Sequence, residues 1–274
     1  MMVEVLVHFV APALVGVLIG IASGLLGIGG GTVMVPIFRL AFGMSATMST
    51  ATSLFAIIPT SISGAISHVK GKTCIPALGI AAGLGGACMS PIGVWLAQLS
   101  PDWLVMLAAA LIIGYSAINM FKKAFKVPRA GQPAEGADAA APTADDSSLS
   151  RKQLLQGAAI GLVAGLASGY VGVGGGFIMV PLMLSIIGIP MRKASGTSLI
   201  AVMILAIPGV IEQGIIGNIN YLAGIAIVIG TIPGAVIGAR LVTKVPERTL
   251  RLLFGCFLIV AAVMLVLNEV GIFG

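Results

Sequence analysis

Charged residues are scarce in this chain: Asp, Glu, Lys and Arg together make up 9% of its 274 residues. A soluble domain usually carries about 25% charged residues, so the composition argues against a water-exposed globular fold. Aromatic residues are also few, at 5%, whereas hydrophobic residues reach 58% and the mean hydropathy is +1.12. A lipid bilayer is the solvent that suits such a chain, and we expect an all-α polytopic membrane protein.

Cysteine and the usual motifs of catalysis are missing or sparse. Three cysteines make no disulfide framework, and buried carboxylates, histidines or thiolates that would bind a metal ion are not grouped in the sequence. No G-x-x-x-x-G-K-[ST] sequence occurs, so we expect no ATP use by the chain itself, and no catalytic triad suggests an enzyme. We therefore expect no metal, no cofactor and no enzymatic activity. The net charge of +6 is better explained by membrane orientation than by nucleic-acid binding.

What the chain does contain is a series of long apolar runs, and it contains the series twice. After a shift of 145 residues the chain matches itself without a gap: GLLGIGGGTVMVP (residues 24–36) recurs as GYVGVGGGFIMVP (residues 169–181), and ATSL (residues 51–54) recurs as GTSL (residues 196–199). Shared membrane composition does not keep such a register over about a hundred residues, so we interpret it as an internal repeat.

Each repeat reads as about five segments, which predicts two membrane domains. We place repeat 1 at residues 1–125 and repeat 2 at residues 151–274. Residues 126–150 between them are rich in Ala, Pro, Gly and Asp and have no apolar period, which predicts a disordered linker.

The positions of Lys and Arg predict that the repeats are inverted. Cations follow the third segment in repeat 1 (Lys70, Lys72) but precede it in repeat 2 (Arg192, Lys193). When the cations are placed in the cytoplasm, as the positive-inside bias requires, only Arg39 falls outside and repeat 2 is upside down. Both termini then lie outside and the linker is cytoplasmic. The first two segments of each repeat must return to the same side, whether they cross fully or are re-entrant.

The glycine clusters interrupt membrane segments, and each is followed by a short apolar segment, residues 32–42 or 177–187, about half a bilayer long. Close helix packing explains pairs such as Gly16 and Gly20, but three consecutive glycines remove side chains from every face. A dinucleotide-binding loop fails on spacing and lacks a βαβ context. We favour a helix break whose free N–H groups and positive dipole end bind an anion in a polar cavity.

Hydroxyl side chains recur beside both clusters and can donate hydrogen bonds to an oxyanion, although back-bonding to their own helices is the alternative. The candidate substrate-binding residues are Ser23, Gly27, Gly29, Gly30, Gly31, Thr32, Thr52, Ser53, Ser168, Gly172, Gly174, Gly175, Gly176, Thr197 and Ser198, together with the amide of Phe177. No ionisable residue suggests a carboxylate proton relay inside an apolar run. Candidates for gating or proton linkage are His68, Glu212 and Arg39, for which an interfacial polar role is the plainer interpretation.

The duplicated glycine motifs, with ATSL and GTSL, resemble the TauE/SafE family of membrane permeases over both repeats. The resemblance implies transport of sulfur-containing anions such as sulfite, sulfoacetate and other organosulfonates, often as export, across the bacterial cytoplasmic (inner) membrane. Ala51 stands where repeat 2 has Gly196, so we expect the two half-sites to be unequal.

We therefore expect a secondary transporter that works by alternating access between inverted repeats. The alternatives are a passive anion channel lined by the same glycines and a membrane subunit of a larger transport complex. The expected partners are a small anionic substrate, the lipid bilayer and a coupling ion such as H⁺. The substrate, the direction of transport and the oligomeric state stay open.

Overall fold

The computed structural model describes residues 11–126 and 150–269. Throughout these two ranges the regular elements are helices. The first half contains α1 (Ala11–Leu26), α2 (Gly31–Phe42), α3 (Ala46–Lys70), α4 (Pro76–Leu99) and α5 (Asp102–Lys126). The second half contains α6 (Arg151–Val171), α7 (Gly176–Leu182, continued by a π-helical turn, Met183–Ile187), α8 (Met191–Ile216), α9 (Tyr221–Leu241) and α10 (Glu247–Glu269).

Seven of the helices in the described ranges are long and apolar enough to cross a membrane, and they are α3 to α6 and α8 to α10. The shorter apolar helices are α1, α2 and α7 with its π-helical turn. Many large apolar side chains on the long helices are exposed, as lipid-facing side chains are. The protein is therefore an all-α polytopic membrane protein, as the composition predicted.

The two halves have the same helix pattern, displaced by the same interval as the sequence. Helices α2, α3, α4 and α5 begin 145 residues before α7, α8, α9 and α10, respectively. The short segments predicted at residues 32–42 and 177–187 correspond to α2 and to α7 with its π-helical turn. Of the predicted linker, residues 127–149 lie outside the described ranges, and so do residues 1–10 and 270–274.

Glycine stripes let helices of opposite halves approach closely. Helix α1 packs against α9, where a methyl group on Gly20 would meet the backbone of Thr231. Helix α6 packs against α4 in the same manner, where a methyl group on Gly165 would meet the backbone of Gly86. Small residues permit this separation because they carry no side chain into the contact. The packing role expected for the isolated glycines is thereby confirmed.

The contacts also fix the relative directions of the helices. Gly64, near the end of α3, lies beside Leu199 near the start of α8, and Gly209 in the second half of α8 lies beside Leu54 of α3, so these matched helices are antiparallel. Helices α1 and α3 are parallel, because Gly24 at the end of α1 contacts His68 at the end of α3. Since α2 ends at Phe42, just before α3 begins, it doubles back along α1.

Candidate functional site

The two glycine clusters form loops of the same backbone conformation. In the first loop Gly27, Gly29 and Gly30 have φ of 75°, 81° and 87°. In the second loop the matching Gly172, Gly174 and Gly175 have φ of 72°, 86° and 68°. Residues with a Cβ rarely adopt positive φ, which explains why glycine occupies these positions in both copies.

The fourth glycine of each cluster lies where the two loops touch. A methyl group on Gly31 would lie 2.6 Å from the carbonyl carbon of Val173, and one on Gly176 would lie 2.9 Å from the carbonyl oxygen of Ile28. Ile57, halfway along α3, contacts both loops. The two helix breaks therefore meet, backbone against backbone, beside the middle of α3.

The first loop leaves a run of backbone donors without partners. Among the hydrogen bonds of the described chain, none is donated by the N–H groups of residues 28–32, which lead into the first turn of α2. The first N–H groups of a helix have no intrahelical partner and carry the positive end of its dipole. Unbonded N–H groups at such an end are suited to donate hydrogen bonds to an anion.

The second loop has a shorter set of free donors. There the Gly176 N–H is bonded to the Gly174 carbonyl oxygen at 2.8 Å, and α7 runs only from Gly176 to Leu182 before the π-helical turn. The N–H groups of residues 173–175 and of Phe177 donate no hydrogen bond within the described chain, which makes four free donors against five in the first loop. The helix that follows is shorter and irregular, so its dipole is the weaker of the two.

Three buried hydroxyl groups without partners lie beside the first loop. Ser23 and Thr32 belong to it by sequence, and Ser61 Oγ lies 3.4 Å from the place that a Cβ on Gly29 would occupy. All three side chains are 0% exposed and have no hydrogen-bond partner. A buried hydroxyl normally has a partner, so three unpaired ones beside free N–H groups indicate a place for a polar ligand or water.

The matching positions around the second loop are mostly apolar. Ser168 is the equivalent of Ser23 and is also buried and unpaired. The equivalent of Thr32, however, is Phe177, and the equivalent of Ser61 is Ala206. We expected the two half-sites to differ because Ala51 stands where the second half has Gly196. The hydroxyl groups around the two loops differ more than that pair does. Ser61 was not predicted because it lies outside the recurring ATSL motif, two turns further along α3, and its counterpart in the second half is Ala206.

Three of the other predicted donors hold the structure together. Thr52 Oγ1 accepts a hydrogen bond from the Asn220 N–H at 3.0 Å, and Thr197 Oγ1 accepts one from the Ile75 N–H at 2.9 Å. Each threonine thus accepts a hydrogen bond from the backbone N–H of the residue that immediately precedes a helix of the opposite half. Ser198 Oγ donates to the Gly27 carbonyl oxygen at 2.7 Å, which ties α8 to the first loop. Ser53 is buried with its hydroxyl group unpaired.

His68 is buried where α1 ends. Its Nε2–H donates to the Gly24 carbonyl oxygen at 2.7 Å, and its Nδ1 lies 2.7 Å from Thr73 Oγ1. The residue that matches His68 in the second half is Gln213, whose side-chain oxygen accepts from Asn218 Nδ2 at 2.8 Å. Asn218 in turn matches Thr73, so the same bridge is built from different side chains.

The other two gating candidates lie away from the loops along the chain. Glu212 precedes Gln213 in α8 and has one buried carboxylate oxygen without a hydrogen-bond partner. Arg39 lies in the last turn of α2 and is partly buried. In the described part of the chain, no group of three or more His, Cys, Asp or Glu side chains could hold a metal ion.

Comparison with known proteins places the chain in a family. A family model described as "Sulfite exporter TauE/SafE" matches residues 12–265. The probable membrane transporter protein YunE of Bacillus subtilis (strain 168) is 27% identical over 97% of this chain and 99% of its own length.

Two further relatives are similar in extent. The probable membrane transporter protein YdhB of Bacillus subtilis is 28% identical over 87% of this chain and 92% of its own length. A probable membrane transporter protein of Haemophilus influenzae is 29% identical over 93% of this chain and 97% of its own length. No solved structure matches the chain. Because the family model spans nearly all of the described helices, the resemblance of the glycine motifs is confirmed, and the chain belongs to the TauE/SafE family of membrane transporters.

Proposed function

We propose that this protein is a secondary transporter of a small sulfur-containing anion, such as sulfite, sulfoacetate or a related organosulfonate. The anion binds at the first glycine loop, where it accepts hydrogen bonds from the free N–H groups of residues 28–32 and from buried hydroxyl groups. The observation that carries the proposal is the meeting of these unbonded donors with Ser23, Thr32 and Ser61. The substrate class is drawn from the description of the family, which names sulfite export.

The absence of an ionised side chain among these donors favours a weakly held anion. A cation at the loop would bind sulfite tightly, whereas neutral donors and a helix end bind a charged oxygen without a buried counter-charge. A transporter must release its substrate on the other side, so moderate affinity suits it. Thr52, Thr197 and Ser198 then serve as the frame that holds the loops, and Ser53 and Ser168 are secondary donors.

The proposed mechanism is alternating access between two inverted repeats in the bacterial inner membrane, with both termini outside and the linker in the cytoplasm. The antiparallel packing of α3 against α8 supports the inversion. The equal conformations of the two loops support a shared origin of the halves. Repeats related in this manner, with broken helices at their interface, are the architecture of many secondary transporters. Outward export and H⁺ coupling are part of the proposal.

The test is uptake and counterflow of radiolabelled sulfite or sulfoacetate in proteoliposomes. We expect saturable transport, with Thr32→Val raising the half-saturation concentration about 10-fold or more, because a hydrogen bond to a charged group is lost. Ser67→Ala is the matched control, since its hydroxyl only bonds back to the Ser63 carbonyl oxygen near the C-terminal end of α3.

Two results would overturn the proposal. Currents of single-channel size would show a passive channel, because an alternating-access protein moves few ions per cycle. If Thr32→Val transported the anion with the same half-saturation concentration as the unmodified protein, the first loop would not be the binding site.

A further inference from the structure

A groove of about 820 Å³ lies between α5, α6 and α7. Apolar side chains such as Ile112, Leu166 and Ile178 line it, and Tyr115 and Val163, which are 68% and 57% exposed, stand at its open flank. Its outer neighbours on α5, Leu111 and Ile118, are exposed and apolar, so the groove opens toward lipid.

One wall of the groove is a polar stripe on a membrane helix. Ser116, Asn119 and Lys123 follow one another at intervals of three and four residues and so share a face of α5. The hydrogen bonds of the described chain include none to the side chain of Ser116 or Asn119. Polar groups at membrane depth without partners are costly, so a ligand that satisfies them is to be expected.

The duplication supplies an internal control for this groove. The positions 145 residues further along replace Ser116 by Ala261, Asn119 by Met264 and Tyr115 by Val260. They also replace Ala108 by Leu253 and Ile112 by Phe257, which are larger. The second copy of the helix therefore has neither the polar stripe nor the same space, and the fold does not require either of them.

Lys123 stands at one end of the stripe and is the only charged side chain that lines the groove in the described structure. Its Nζ donates to the Pro181 carbonyl oxygen at 2.7 Å and also bonds to Ser185 Oγ at the π-helical turn of α7. An ammonium group has three N–H donors, so one is left for a ligand.

More positive charge surrounds this end. Tyr170 Oη at the end of α6 donates to Ser100 Oγ just before α5 begins, so the start of α6 lies at the level where α5 ends. Lys122 of α5 and Arg151 and Lys152 of α6 are exposed there. Arg251 of α10, which reaches the Lys123 carbonyl oxygen, is already paired with Glu247.

We propose that this groove binds an anionic diacyl phospholipid, with its phosphate at Lys123 and an acyl chain along Ile112 and Leu166. Asn119 and Ser116 lie about 6 Å and 10 Å deeper than Lys123 along the helix. The glycerol ester oxygens of a phospholipid follow the phosphate at a similar depth and accept hydrogen bonds. The order of groups along the stripe, cation, amide, hydroxyl and then apolar side chains, matches the order of groups in the lipid. Basic pockets between membrane helices bind anionic headgroups for the same electrostatic reason.

The experiment compares lipids that stay bound to purified protein, measured by native mass spectrometry and by lipid extraction. Ile112→Phe places the residue of the second copy in the groove and leaves the bonds of Lys123 intact. We expect the unmodified protein to retain phosphatidylglycerol or cardiolipin in preference to phosphatidylcholine, and Ile112→Phe to retain about five-fold less or lower. Leu107→Phe is the matched control, because it adds the same ring to an exposed position of α5 outside the groove.

Asn119→Met, again the residue of the second copy, is the second variant if Ile112→Phe does not fold, and it should lose the same lipids. Three results would overturn the proposal: equal lipid retention by the groove variants and the control, equal retention of phosphatidylcholine, or a second copy of the chain covering the groove, detected by cross-linking at Tyr115→Cys. The outcome does not depend on which anion is transported.

Discussion

The two glycine loops have nearly the same backbone and different chemical surroundings. Every glycine with positive φ in the first loop has a partner with positive φ in the second, and each loop presses its fourth glycine against the other. Around the first loop, however, lie the unpaired hydroxyl groups of Thr32 and Ser61, and around the second lie Phe177 and Ala206. The shape of the loops is thus a requirement of the fold, and the polar groups are where one half can differ from the other.

The largest effect is expected from adding a methyl group to either loop. On Gly27 it would lie 2.5 Å from the Cα of Ser195, and on Gly172 it would lie 2.5 Å from the Cα of Thr50. Both residues also have positive φ, which costs about 1–2 kcal/mol for alanine. We expect Gly27→Ala and Gly172→Ala to yield little folded protein in detergent, to a similar extent.

Gly43 and Gly188 are matched controls for that comparison. They have φ of 61° and 78° and no heavy atom within 4 Å of an added Cβ, so alanine there costs only the backbone strain. Thermal unfolding should rank these controls well above the loop variants. Loop variants as stable as the controls would show that the close approach of the loops is wrong.

The second largest effect is expected on substrate binding, and it should differ between the two loops. Ser61→Ala removes a hydroxyl group from the first loop and should weaken substrate binding about 10-fold or more, because a hydrogen bond to a charged group contributes about 1.5–3 kcal/mol. Ser168→Ala should change binding less than about three-fold, because Phe177 and Ala206 stand in the second half at the positions where Thr32 and Ser61 supply hydroxyl groups to the first loop. Isothermal titration of the purified protein with sulfite measures both. A larger loss for Ser168→Ala would move the anion to the second loop.

The sequence predicted the helix pattern that the two halves share better than it predicted the side-chain contacts of each half. The half-helix at residues 32–42 was found because a glycine cluster precedes an apolar segment too short to span a bilayer, and the observed helix is Gly31–Phe42. The role of Thr52 could not be found, because its partner, the Asn220 N–H, lies 168 residues away. The same holds for the bond from Lys123 to Pro181, which lies in α7 two residues before a π-helical turn that the sequence did not predict. The inversion, the domain boundaries and the binding residues stay predictions.

A third prediction concerns a feature that the halves share. Thr52 and Thr197 each accept the N–H group that precedes a helix of the opposite half. Valine keeps the shape and loses the acceptor, which leaves the buried Ile75 N–H or the partly buried Asn220 N–H unpaired at a cost of about 1–3 kcal/mol. Thr52→Val and Thr197→Val should therefore both lower the midpoint of thermal unfolding, with the larger shift for Thr197→Val because its bond is the more buried. Ser195→Ala is the control, because its hydroxyl bonds only to the Met191 carbonyl oxygen of its own helix.

The smallest effect concerns the difference between Ala51 and Gly196. A methyl group on Gly196 would lie 2.8 Å from Cγ and from Nδ1 of the His68 ring, which explains why glycine stands there. In the matching place the first half has Ala51, and the side chain in the role of His68 is Gln213, which is narrower than an imidazole ring. The two halves therefore differ at these two positions for one reason: the His68 ring leaves no room for a side chain at position 196, whereas the narrower Gln213 is compatible with Ala51.

A double-mutant cycle tests this coupling directly. Gly196→Ala alone should destabilise the protein, and His68→Gln alone should cost less because glutamine can donate to the Gly24 carbonyl oxygen as the ring does. The double variant should be more stable than the sum of the single effects predicts, by about 0.5–3 kcal/mol, the range typical of residues in contact. The recovery should be partial, because the added methyl group would still lie 2.5 Å from the Thr73 carbonyl oxygen. Strictly additive effects would separate His68 from Gly196 and return the histidine to consideration as a gating residue in its own right.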